Sequence, residues 1–170
     1  MSTGYGMVTA NAVRVLGQDN KYYLNLTIWN GAEEIEVTTT ESVAYGDTAK
    51  YTAGTMVTYT DNNNGTISGL TSIDDKMDAV VAYDGINTIK FAKGGAIEYT
   101  ITNDTVIVYV DLANGTGADG VIELATPAED DKGNQIGYYG NVWVGETHKS
   151  NGVQYVDYLI VDVSEAYVGV

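Results

Sequence analysis

His148 is the only histidine in a chain that has no cysteine, so nucleophilic or metal chemistry that needs an imidazole must use it. A Ser-His-Asp triad would have to be built around this residue. It stands in Gly145-Glu-Thr-His-Lys-Ser-Asn-Gly152, a polar stretch that reads as a hairpin-like loop, where an exposed histidine is the ordinary outcome. Zinc centres normally draw on more than one His or Cys, so none is expected. Gly115-Thr-Gly-Ala-Asp-Gly120 matches G-x-G-x-x-G and follows a strand-like run. A dinucleotide site also needs a helix after the glycines, with its N-terminus facing the pyrophosphate. Val121-Ile-Glu-Leu124 follows instead, which reads as strand, and Asp119 would repel phosphate. The expectation is a glycine-rich turn.

Carboxylates remain as possible acids and bases, since glycosidases work with two of them roughly 5–10 Å apart. Most acids here fall at turns (Asp19, Asp61, Asp84, Asp119, Asp130, Asp131), where Asp is favoured by bonding to its own backbone. No catalytic residue is expected, and the chain is read as non-enzymatic. Calcium is the best-matched ligand, because it takes six to eight oxygens from carboxylates, amides and backbone. Two loops offer such oxygens: Asp111-Leu-Ala-Asn-Gly-Thr-Gly-Ala-Asp119 and Glu129-Asp-Asp-Lys-Gly-Asn134. The calcium candidates are therefore Asp111, Asn114, Asp119, Asp130 and Asp131. Neither loop has EF-hand spacing, and the plain-turn reading is favoured over calcium for both. N-x-[ST] sequons begin at Asn25, Asn64, Asn103 and Asn114, as a Thr- and Asn-rich β protein produces by chance.

The elements that must position these groups read as strands almost throughout. Asn103-Asp-Thr-Val-Ile-Val-Tyr-Val-Asp111 and Val156-Asp-Tyr-Leu-Ile-Val-Asp-Val163 are nearly uninterrupted β-branched apolar runs, suited to strands buried on both faces. Tyr22–Trp29 alternates, with Leu24, Leu26 and Ile28 on one side and Tyr23, Asn25 and Thr27 on the other. Asn30-Gly31 then signals a hairpin whose return strand is Glu34–Thr40, with Ile35 and Val37 inward. Further strands are expected at Val8–Leu16, Thr55–Thr60, Gly65–Leu70, Met77–Tyr83, Thr88–Ala92, Ala96–Ile101, Val106–Val110, Val121–Ala125, Tyr138–Val144 and Val153–Val163. The one helical candidate, Ser72–Asp78, is about a turn long. Turn signals every 8–12 residues or so mark a sandwich or barrel.

The two halves echo one another. Met7–Leu16 and Met77–Tyr83 each open a half, and each half continues through a hairpin to a Thr-rich strand, Ile35–Thr40 and Ile97–Thr105. The expected fold is all-β, an antiparallel sandwich or small barrels, as two consecutive β subdomains over 1–74 and 75–170, or as one sandwich in which Asp74-Asp75 is a loop.

A chain of 170 residues is large enough for a core without staples, and 44% hydrophobic residues argue against disorder. Its net charge of −15 repels nucleic acid and anionic lipid headgroups and attracts cations. No apolar run is long enough for a spanning helix, and the first residues have no signal-peptide pattern. The strand-like finish at Tyr167–Val170 favours a segment of a longer exported chain. The 14 Tyr suit half-buried strand surfaces, with a sugar-stacking platform as the alternative use.

The run Asn103–Asp111, a glycine turn, Gly120–Ala125, the acidic turn Asp130–Gly133, Asn141-Val-Trp-Val144 and Tyr155–Val163 resembles β modules of large Gram-positive (Firmicutes) cell-surface proteins. Such proteins often carry S-layer homology domains that attach them to wall polymers. The resemblance covers roughly residues 76–163. It implies a non-catalytic extracellular module, a spacer or S-layer-like lattice element. Its partners would be neighbouring copies, other domains of the same protein and cell-wall glycan, with no nucleic acid and no membrane insertion. The alternative reading is a carbohydrate- or ligand-binding module that uses tyrosines and Trp29 or Trp143.

Overall fold

The computed structural model describes residues 2–119, 124, 128–129 and 131–167, and it is all-β. Its first five strands are β1 (Ser2–Leu16), β2 (Tyr22–Trp29), β3 (Glu34–Thr39), β4 (Met56–Asp61) and β5 (Thr66–Ser72). They close into a barrel in the order β1-β2-β3-β5-β4. Closure depends on the length of β1. Its first part, Ser2–Met7, pairs with β4, and the rest, Met7–Leu16, pairs with β2. Register shifts between Val8 and Val13 bend the strand between these duties. β3 and β5 run parallel, with Thr38 opposite Thr66. The result is a five-stranded barrel in which β3 and β5 form a parallel pair.

The alternation in β2 sets the barrel interior. Leu24, Leu26 and Ile28 point inward and pack with Val8, Val37, Val57, Tyr59 and Ile67. The β2–β3 turn needs its glycine, because Gly31 sits at φ 97°. Asp74–Lys76 forms a single 3-10 turn inside the short helical candidate, between β5 and the next strand.

The later strands are β6 (Met77–Asp78), β7 (Val80–Tyr83), β8 (Thr88–Phe91), β9 (Tyr99–Thr100), β10 (Val106–Asp111), β11 (Thr116–Gly117), β12 (Ala128–Glu129), β13 (Gln135–Tyr139), β14 (Val142–Ser150), β15 (Val153–Asp162) and β16 (Ala166–Tyr167). β6 pairs with β14, while β7, one residue further along, pairs with β8. Then β8 pairs with β9, β9 runs parallel to β15, and β15 pairs with β14. Met77–Tyr83 thus serves both ends of this sheet, as β1 does in the barrel. Both halves carry the same circuit of strands, with the third and fifth parallel. β10 continues the β9 edge along β15, also parallel, and β11 follows at the margin. β12, β13 and β16 form a separate small sheet.

The two apolar runs are β10 and β15, and their uninterrupted character follows from where they lie. On β15, Leu159 and Val161 face a core with Val80, Ile89, Phe91 and Val142, and Ile160 faces a different core. On β10, Val108 and Val110 join that second core while Ile107 and Tyr109 pack on the first. Strands covered on both sides have no polar face to alternate with.

The expected strand Val121–Ala125 lies outside the described residues apart from Leu124, a turn residue. Ala96–Ile101 is reduced to Tyr99–Thr100. Gly145–Gly152 is not a loop: β14 runs through to Ser150, and only Asn151-Gly152 turns, with φ of 51° and 80°. Two consecutive positive φ values make the tight hairpin turn whose twist matches the strands, so both strands continue to the tip.

Candidate functional site

His148 therefore sits on a strand, opposite Tyr155 in the β14–β15 ladder. Its Nδ1 lies 2.7 Å and 2.9 Å from the two carboxylate oxygens of Asp157. The imidazole stacks on the Tyr155 ring, with centroids 5.0 Å apart. A histidine oriented by an aspartate is two-thirds of a triad, but the third side here is an aromatic ring and solvent rather than a hydroxyl. Asp157 was not legible as a partner, because it lies diagonally across the hairpin and depends on the register.

Of the calcium candidates, the structure brings two together. Asp111 accepts the Asn114 backbone N–H on Oδ1 (3.1 Å) and the Asn114 Nδ2 on Oδ2 (2.8 Å). Asp111 thus caps the turn, accepting twice from Asn114. Asp119 is exposed beyond β11, Asp131 is exposed in the turn before β13, and Asp130 lies outside the described residues. Among the described residues no three His, Asp or Glu side chains converge as a ligand set. Among the described residues the best-coordinated carboxylate is another one, Asp162, buried at the end of β15. It accepts from the Leu112 N–H (3.1 Å), the Ser164 N–H (2.9 Å), the Ser164 hydroxyl (2.6 Å) and Asn141 Nδ2 (3.3 Å). All four donors belong to this chain, so the carboxylate ties the β10–β11 connection to β14 and β15.

In the glycine motif, Gly115 has φ 68° in the turn, Thr116–Gly117 forms β11, and Gly120 lies outside the described residues. Gly117 meets the Trp29 ring rather than open space.

The tryptophans are core residues, not platforms. Trp29 is 8% exposed and Trp143 is 3% exposed. Both belong to an apolar cluster that joins the barrel to the second sheet: Tyr5, Met7, Trp29, Met56 and Ile73 from the first half, and Val108, Val110, Trp143 and Ile160 from the second. Trp29 donates from Nε1 to the Tyr109 carbonyl at 2.8 Å. Tyr5 donates to the Gly145 carbonyl at 3.2 Å, and Tyr158 to the Thr3 carbonyl at 3.0 Å. These bonds cross between the halves at separations that no local pattern reveals.

Beside this junction, three tyrosines converge. Tyr5 and Tyr158 stack with centroids 4.3 Å apart, and Tyr59 lies buried under Gly4. Burial holds the Tyr59 hydroxyl neutral and pushes its pKa up to about 12. A second aromatic group is exposed: Arg14 lies 3.4 Å from the Tyr45 ring centroid and 5.2 Å from that of Tyr22.

No protein-family model, no curated protein and no solved structure matches the chain.

Proposed function

We propose that the chain is a non-catalytic structural module of an exported bacterial cell-surface protein, a spacer or S-layer-like lattice element. One observation carries this reading: the largest aromatic side chains of both halves are buried in a shared core between them. Fixing the barrel to the second sheet through Trp29, Trp143 and Tyr5 gives a unit that holds its shape under load. A binding module would instead keep its tryptophans at a surface. The net charge of −15 keeps such a unit soluble at high local density. Calcium would bridge acidic neighbours, with Asp119 and Asp131 exposed for that purpose. The extracellular setting rests on the resemblance of residues 76–163 to Gram-positive surface modules.

Light scattering first in EDTA and then in millimolar calcium tests the assembling role. Growth into large species with calcium is the expected result. A steady monomer in both conditions overturns self-association by this segment.

A further inference from the structure

The rim of the junction holds a cleft of about 240 Å³ that the structural role does not use. Its aromatic wall is the partly exposed ring of Tyr158, which stacks on the buried Tyr5 with 29° between the ring planes. The stack is pinned, because each hydroxyl bonds a carbonyl of the other half. Tyr59 lies beside it under Gly4, where a Cβ would fall 2.4 Å from the ring. Asn30, Ala32 and Asp61 complete the rim.

The polar groups on this rim are half used. Asn30 Oδ1 accepts the N–H groups of Ala32 and Glu33, both at 2.9 Å. Asp61 Oδ1 accepts the Asn63 N–H at 2.8 Å. These bonds fix the two side chains. Among the described residues, neither Asn30 Nδ2 nor Asp61 Oδ2 has a hydrogen-bond partner. Tyr158 therefore shares the cleft with one amide donor and one carboxylate acceptor, both on side chains held in place.

We propose that this cleft binds a ring of a neutral saccharide. The C–H face of a pyranose would lie on the exposed part of the Tyr158 ring, with the buried Tyr5 and Tyr59 holding that ring in place. One hydroxyl would donate to Asp61 Oδ2, and a neighbouring one would accept from Asn30 Nδ2. The chain's strong negative charge disfavours phosphorylated, sulfated or uronic sugars. A quaternary ammonium is the rival occupant of tyrosines beside a carboxylate, but it wants rings set around a centre. Here two of the three rings stack on each other. The volume lies below the roughly 300–1,000 Å³ of sites for drug-sized ligands, which suits a single sugar ring. The site needs both halves in place, yet it stands independently of any assembling role.

The test is an amide-resolved NMR titration of the whole chain with millimolar cellobiose, maltose and N,N′-diacetylchitobiose, alongside choline and glucose 6-phosphate. The expected result is saturable shifts of Thr3, Ala32, Asp61 and Tyr158 with at least one neutral disaccharide. Asp61→Asn keeps the turn-capping oxygen and should weaken that binding roughly tenfold. Ala32→Trp, at an exposed loop position, should fill the mouth and abolish it while leaving Tm unchanged. The proposal is overturned if no disaccharide shifts these amides, if choline alone does so, or if both folded variants bind as the parent does.

Discussion

The indole of Trp29 lies against the backbone of Gly117. A Cβ at that glycine would fall 2.1 Å from Cδ2 of the ring and 2.4 Å from Cε2. The same ring is held from its edge by the Tyr109 carbonyl. A side chain at position 117 therefore cannot be accommodated by a small shift. Gly117→Ala is expected to lower stability by roughly 1–3 kcal/mol through overpacking. Trp29→Ala should cost about 3–5 kcal/mol through the cavity it leaves. Urea unfolding measures both, and an unchanged midpoint for Gly117→Ala would remove this contact from the account.

Tyr5 and Gly145 make the equivalent contact elsewhere in the junction, with a Cβ at Gly145 falling 2.5 Å from Cε1 of the ring. The two positions should couple. Gly145→Ala is expected to cost roughly 1–3 kcal/mol in the parent and far less in a Tyr5→Ala background, where the ring is gone. A double-mutant cycle checks this, and additive costs would count against it.

Alkaline pH should unfold the chain through its buried phenols. Tyr59 titrates near 12 in the folded protein against 10.0 for a free phenol, because burial disfavours the phenolate. A raised folded pKa means that the unfolded state gives up its proton first. The stabilisation is therefore whole below pH 10 and is lost as pH rises from 10 towards 12. Tyr59 alone is worth roughly 2–3 kcal/mol across that window. Tyr5, Tyr51 and Tyr139, also raised by burial, act in the same direction. Tyr59→Phe should flatten the pH dependence of the urea midpoint above pH 10, and an unaltered slope would contradict the assignment.

Asp162 should be among the most sensitive polar positions, since this buried carboxylate satisfies the part-buried N–H groups of Leu112 and Ser164, and its removal leaves both without their acceptor. Asp162→Ala is expected to lower stability by roughly 3 kcal/mol or more. Asp111→Ala, which removes only the cap on an exposed turn, should cost about 1 kcal/mol. Comparable losses at the two sites would show that the buried network is less important than its geometry implies.

What could be read from the residues alone follows the range of the interactions. β2 and β3 were legible because Leu24, Leu26, Ile28 and Val37 alternate with polar neighbours, and Asn30-Gly31 marks their turn. The double burial of β10 and β15 was legible because each lacks a polar face. The cleft was not, since Tyr5, Tyr59 and Tyr158 meet only after the barrel has closed and the second sheet has packed on it. Nor was the role of the tryptophans: a platform and a core indole look alike in a strand until the facing glycine is known. The Asp157 partner of His148 depended on an Asn-Gly turn that extends two strands where a polar loop was expected.

The core shared by the barrel and the second sheet is expected to make the two unfold as one unit. Differential scanning calorimetry of the whole chain tests it most directly. A single transition with equal calorimetric and van't Hoff enthalpies is the predicted result, and Trp29→Ala should lower that one transition as a whole. Two separable transitions, with Trp29→Ala moving only the first, would contradict it.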